Sequence, residues 1–111
     1  MSSYIPKRGD AVWLDFNPQK GREQAGRRPA FIVSPASYTG KVGLALLCPI
    51  TSRVKGYPFE VAIPEGFPVE GVILSDQLKS LDWRSRDADF LCTLPESVTQ
   101  EVLKKVVALL R

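Results

Sequence analysis

Polar and apolar residues alternate from Asp10 to Phe16, with Val12, Leu14 and Phe16 on one face and Trp13 and Asp15 on the other. This is the period-two pattern of a half-buried strand. Asn17-Pro18 ends it, and a polar loop containing Gly21 and Gly26 leads to Pro29. A second strand is predicted over Ala30 to Ser34, stopped by Pro35. One helical turn over Ala36 to Lys41 precedes a third strand, Val42 to Cys48, apolar on both faces and closed by Pro49. Shorter strands are predicted over Phe59 to Ile63, Gly71 to Leu74, Leu78 to Trp83 and Asp89 to Thr93.

Only the end of the chain changes period. Thr93-Leu94-Pro95-Glu96 has capping-box spacing, and Val98, Val102, Val106 and Leu109 then form one stripe, widened by Leu103 and Leu110. Gln100, Glu101, Lys104 and Lys105 are expected to face water. Short strands punctuated by Gly and Pro, followed by one helix of about four turns, predict a mainly β protein of the α+β class, a small barrel or sandwich with the helix packed on it.

Length adds that residues 1–111 form a single domain, in which no second core is expected. Hydrophobic residues make up 44% and charged residues 24%, the balance of a globular protein. No leader or membrane-spanning run is visible, so a cytoplasmic location is expected. Cys48 and Cys92 lie in apolar stretches without CxxC spacing. They read as buried free thiols, with a disulfide left open.

The net charge of +3 is small, but its distribution is uneven. Residues 17–28 hold Lys20, Arg22, Arg27 and Arg28 against Glu23 alone, and residues 51–57 add Arg53 and Lys55 with no acid. Clustered cations in connecting loops suit an anionic partner or a solvated basic surface. The chain has no histidine, which leaves fixed cations as the leading candidates for chemistry near neutral pH. Neither a metal set nor a nucleophilic triad is visible. Pro29 restricts Arg28 to extended geometry, so this guanidinium sits on a defined backbone. It is placed either for a site or for an ion pair with Asp15 or Glu23.

Gly9-Asp10, Glu23-Gln24-Ala25-Gly26, Arg28-Pro29, Pro49-Ile50-Thr51, Lys55-Gly56-Tyr57-Pro58 and Asp76-Gln77 follow one another in this order. With this ordered set the chain resembles the MazF/PemK/Kid toxins of bacterial toxin-antitoxin systems, from about Ile5 to the last helix. The resemblance implies an SH3-like barrel with a C-terminal helix, a homodimer, and an endoribonuclease cutting single-stranded RNA at short sequences. It also implies a cognate MazE-like antitoxin whose acidic tail covers the basic groove. The family's catalytic arginine and threonine match Arg28 and Thr51.

Metal-free RNA cleavage uses the substrate's 2′-OH as nucleophile and leaves a cyclic phosphate, so the protein must align, move protons and stabilise charge. Arg28 suits charge stabilisation, Thr51 a hydrogen bond to phosphate, and Glu23 the role of base or of orienting Arg28. Lys20, Gln24, Arg27, Ser52, Arg53, Lys55, Tyr57, Gln77, Lys79, Arg84 and Arg86 are candidate RNA contacts, most of them phosphate-binding types. No metal or cofactor is expected. Trp83 reads as core rather than as a stacking platform.

Two other functions remain open at this point. A gyrase poison of the CcdB-like kind shares the barrel but depends on a Trp-Gly-Ile end, whereas this chain ends Leu109-Leu110-Arg111. The other is a non-catalytic SH3-like RNA-binding module.

Overall fold

A computed structural model describes residues 4–17 and 26–111. In chain order its elements are β1 (Asp10–Asp15), β2 (Arg27–Ile32), α1 (Ala36–Val42), β3 (Leu44–Thr51), β4 (Glu60–Ala62), β5 (Val72–Leu74), β6 (Lys79–Asp82), β7 (Asp89–Thr93) and α2 (Glu96–Leu109). The pairings are antiparallel and follow the path β4-β5-β3-β2-β1-β7, with β6 also paired to β3. Among the described residues β4 and β7 do not pair, so this seven-stranded sheet is open where a barrel was expected.

The buried apolar residues form two clusters on opposite faces of the sheet rather than the single core expected. Ala11, Phe31, Cys48, Ile50 and Ile73 join Val98, Val102 and Val106 of α2 on one face. On the other, Val12, Leu14, Ala30, Ile32, Ala45 and Leu47 pack with Trp83. Alternate residues of β1, β2 and β3 thus serve different clusters, the period-two rule applied to a sheet covered on both sides. Trp83 is core, its indole N–H donating to the Thr39 carbonyl over 3.0 Å. Both cysteines are free, and burial pushes the Cys48 thiol up to about 12, with Asp76 adding to the effect.

Two prolines fall inside strands that they were expected to bound. Pro29 lies in β2 opposite Trp13, beyond the β2–β3 ladder, which begins at Ala30. Pro49 lies in β3 where the neighbour on one edge changes from β6 to β5. Neither position has ladders on both edges, which is where a sheet tolerates a missing donor. Val42 belongs to α1, and Gly43, at φ 85°, turns the chain into β3.

The helix α2 also departs from its pattern. Pro95 takes the N-cap position and there is no side-chain cap, because Thr93 is still in β7 and its hydroxyl donates 2.9 Å to Asp10. Asp10, almost fully buried, also accepts from the Tyr4 hydroxyl at 2.6 Å and the Lys7 N–H at 3.2 Å. The Gly9-Asp10 motif therefore fastens the start of the chain to β7. Leu109 and Leu110 are exposed rather than on the buried stripe, and Lys105 turns inward to donate 3.0 Å to the Glu60 carbonyl.

Candidate functional site

The β2–β3 ladder pairs Ile32 with Leu47, Phe31 with Cys48 and Ala30 with Pro49. Continued by two places, the same register sets Arg28 opposite Thr51, just past the last pair. By alternation both belong to the face that carries Ala30, Ile32 and Leu47. The Arg28 Nε is buried and finds no hydrogen-bond partner among the described residues. No ion pair between Arg28 and Asp15 forms; Asp15 instead accepts the Asn17 N–H at 2.9 Å. Thr51 is 5% exposed, and its oxygen accepts the Arg53 N–H at 3.1 Å, leaving its own proton to donate.

The position of Thr51 depends on Gly71. A side-chain carbon at Gly71 would overlap the Thr51 carbonyl oxygen, and Gly71 has φ 111°, so only glycine lets the turn before β5 approach β3 this closely.

Beyond Thr51, the 53–58 loop is held by two carboxylates. Glu60 accepts the Lys55 N–H at 2.8 Å on one oxygen and the Gly56 N–H at 2.9 Å on the other. Asp76 accepts the Tyr57 hydroxyl at 2.9 Å. Burial and then that bond to Asp76 push the Tyr57 phenol up to about 12. The result is a pocket of about 650 Å³ lined by Thr51, Arg53, Lys55, Tyr57, Glu60, Leu74, Asp76 and Gln77. Gln77 enters it from a turn closed by its N–H to the Leu74 carbonyl at 3.0 Å, and its Oε1 is buried with no partner among the described residues.

Five of the predicted site residues, Thr51, Arg53, Lys55, Tyr57 and Gln77, thus meet at one pocket. Ser52 is exposed beside it, and Lys79 lies on β6 opposite Leu47. The other arginines lie apart. Arg27 pairs with Asp89 at 2.7 Å and donates to the Asp87 carbonyl, while Arg86 donates to the carbonyls of Asp15 and Asn17. Arg84 stacks over Trp83 with its guanidinium carbon 4.6 Å from the ring centroid. Arg27, Trp83 and Arg84 line a different cavity of about 1070 Å³, together with Asp15, Asp87 and Asp89. Lys20, Glu23 and Gln24 lie outside the described residues.

Glu60 has no role in the sequence reading, and Asp76 appears there only as part of a motif. The sequence signal for Glu60 is an acid four residues past Gly56, close enough to fold back on the turn that the glycine makes at φ 83°. Among the described residues, no group of three His, Cys, Asp or Glu side chains is placed to hold a metal.

Residues 7–110 match the family model described as PemK-like, MazF-like toxin of type II toxin-antitoxin system. The chain is 44% identical over 110 residues to the endoribonuclease toxin MazF of Escherichia coli strain K12, covering 99% of this chain and 98% of that one. It is similar in structure to MazF from Deinococcus radiodurans, with a TM-score of 0.94, 54% identity and 97% and 98% of the two chains covered. A MazE-MazF structure from the same organism matches with a TM-score of 0.87 and 49% identity, over 97% of each chain.

Proposed function

The chain belongs to the PemK-like, MazF-like toxins of type II toxin-antitoxin systems, and from that premise we propose that it is an endoribonuclease cutting single-stranded RNA at short sequences through attack of the substrate's own 2′-OH. The observation that supports this reading is that Arg28 and Thr51 each lie two places beyond the last β2–β3 pair, with Thr51 lining a pocket that also bears Arg53 and Lys55.

In the reaction the 2′-oxygen bonds to phosphorus as its proton passes to a base, and the bond to the 5′-oxygen breaks as that oxygen gains a proton. The products are a 2′,3′-cyclic phosphate and a 5′-OH end. No metal or cofactor takes part. Charge accumulates on the non-bridging phosphate oxygens, and donors already in place stabilise it without reorganising. A guanidinium, cationic at neutral pH, supplies that charge from Arg28. Thr51 donates its hydroxyl proton to a phosphate oxygen, its own oxygen being held by Arg53 N–H. Glu23 is assigned as the base, or as the group that orients Arg28.

Arg53, Lys55, Lys79 and Arg84 are assigned to the RNA backbone, with Ser52 beside them, and Tyr57 and Gln77 to bases. Lys20 and Gln24 belong to the same surface in this reading. Arg27 and Arg86 are assigned to fastening the ends of the β1–β2 connection, since their guanidinium groups are engaged within the chain. By analogy with the MazE-MazF structure, the partner is a MazE-like antitoxin; an acidic tail on it complements the cationic loops of this chain. A homodimer and a cytoplasmic location complete the reading. No helix among the described residues is long and apolar enough to cross a membrane.

The test is incubation with a long unstructured RNA in excess EDTA, followed by mapping of the product ends. Discrete cuts with cyclic-phosphate ends are expected, and 2′-deoxyribose at a mapped site should abolish that cut. Bound but intact RNA would instead identify a non-catalytic module. Intact, unbound RNA would point to a different kind of toxin.

A further inference from the structure

We propose that Lys105 of α2 is a positioning residue for the site: its ammonium group fixes the Glu60 peptide, and through Glu60 the 53–58 loop that carries Arg53, Lys55 and Tyr57. The proposal rests on the RNA-cleaving reading above and goes further, to how a helix outside the pocket keeps that loop in place.

Among the described residues β4 ends the path of the sheet, so one of its edges has no neighbouring strand. The Val61–Ile73 pair of β4 and β5 lies between two bonds of 3.0 Å, from the Ser75 N–H to the Phe59 carbonyl and from the Ile63 N–H to the Gly71 carbonyl. Phe59, Val61 and Ile63 thus turn their backbone groups to β5, and alternation turns those of Glu60 to the open edge. There the Lys105 ammonium donates to the Glu60 carbonyl over 3.0 Å. The remaining polar groups of Glu60 are engaged as well. Its N–H donates to the Tyr57 carbonyl at 3.2 Å, and its two carboxylate oxygens accept the N–H groups of Lys55 and Gly56. One residue therefore joins α2 to the pocket loop, with its carbonyl on the helix side and its carboxylate on the loop side.

Lys105 is itself held. Val102 and Val106, on either side of it along the helix, are buried in the cluster that contains Val61 of β4, which sets the height of α2 over that strand. Glu101, one turn earlier, pairs with the ammonium at 3.5 Å, the favourable order for an acid and a lysine four places apart. Lys104, by contrast, is exposed. The bond from the half-buried Lys105 to the Glu60 carbonyl is charge-assisted and stronger than a neutral one. A peptide unit moves as a plane, so a Glu60 carbonyl released from this bond is free to tilt and to re-aim the Cα that carries the carboxylate. The loop would then lose the fixed acceptors of Lys55 and Gly56 without any change to its own residues.

Variants of the full-length protein test this. Lys105→Met keeps the aliphatic stem and removes the ammonium, and Lys105→Arg restores a cationic donor. Amide hydrogen exchange followed by NMR is read first, because it needs no RNA. In Lys105→Met the amides of Lys55 and Gly56 should exchange about fivefold faster, the scale of one net hydrogen bond, while those of β2 and β3 keep their rates. Lys105→Arg should return both amides most of the way to wild type. In cleavage of an RNA with one mapped site, Lys105→Met should raise KM by a similar factor with kcat within about twofold of wild type. Added to Glu60→Ala, which already frees the loop, Lys105→Met should raise KM no further. Unchanged exchange at Lys55 and Gly56, or acceleration spread evenly over the sheet, overturns the positioning role. So does a KM increase that persists undiminished in the Glu60→Ala background. The local exchange signature in a protein that cuts no RNA upholds the role of Lys105 and overturns the nuclease reading instead.

Discussion

Arg28 lies two residues beyond Ala30 and Thr51 two residues beyond Pro49, the pair that ends the β2–β3 ladder. Pro29 allows Arg28 to stay extended there while contributing no donor to the open edge. Two side chains 23 positions apart in sequence are thereby presented on one face of the sheet. If Arg28 stabilises the transition state, Arg28→Lys should lower kcat by roughly 10²–10³-fold, because the ammonium keeps the charge but loses the planar fork. Single-turnover cleavage of an RNA containing one mapped site measures this, and a kcat within threefold of wild type would remove Arg28 from the chemistry.

Glu60 should act on the site through the loop it holds. Glu60→Ala leaves the N–H groups of Lys55 and Gly56 without their acceptors and frees Lys55 from its place at the pocket. KM is expected to rise by about tenfold, a loss of roughly 1.4 kcal/mol of uniform binding, with kcat changing much less. Steady-state kinetics separate the two parameters. A matching drop in kcat alone would contradict a positioning role. Lys105 should keep its bond in this variant, since it donates to the backbone carbonyl of Glu60.

Gly71→Ala should be among the more damaging single-carbon changes in the chain. The added carbon meets the Thr51 carbonyl and the backbone of Ser52, and the residue sits at φ 111°. A loss of about 1–3 kcal/mol is expected from backbone strain, with activity reduced further as Thr51 shifts. Urea unfolding followed by tryptophan fluorescence reports the first, and cleavage of the remaining folded fraction reports the second.

The Tyr57–Asp76 bond should be insensitive to pH throughout the neutral range and fail only in alkali. The phenol is raised in the folded protein to about 12, above its unfolded value, so its contribution is complete below the ordinary tyrosine range and is lost as pH climbs towards 12. The stability difference between wild type and Tyr57→Phe should therefore be constant from pH 6 to 9 and shrink above pH 10. Denaturant titrations of both proteins at each pH cancel the contributions of Tyr4 and Cys48, which they share. A difference that shrinks below pH 8 would show that another group controls the bond.

Much of this was legible along the chain, because the informative interactions were local. The alternation of Val12 and Leu14 against Trp13 marked β1, and the spacing of Val98, Val102 and Val106 marked the buried side of α2. The pattern misled where a distant partner intervened. Thr93 has the spacing of a helix cap, yet its hydroxyl serves Asp10, brought beside it by the β1–β7 pairing. Leu109 and Leu110 continue the apolar period, yet both are exposed at the end of α2.

The same distinction separates the two arginines before Pro29. Sequence alone determined that a chain without histidine carries fixed cations at this junction, that Pro29 holds Arg28 extended, and that the ordered motifs resemble one toxin family. It already set Arg28, held by the proline and matched to the family's catalytic arginine, apart from Arg27, a candidate RNA contact. Tertiary structure decided what each meets: Arg27 reaches Asp89 and the Asp87 carbonyl, whereas Arg28 lies past the Ala30 end of the β2–β3 ladder with its Nε unpartnered among the described residues. Neighbours on a strand point to opposite faces, and only the register with strands far along the chain decides what each face meets.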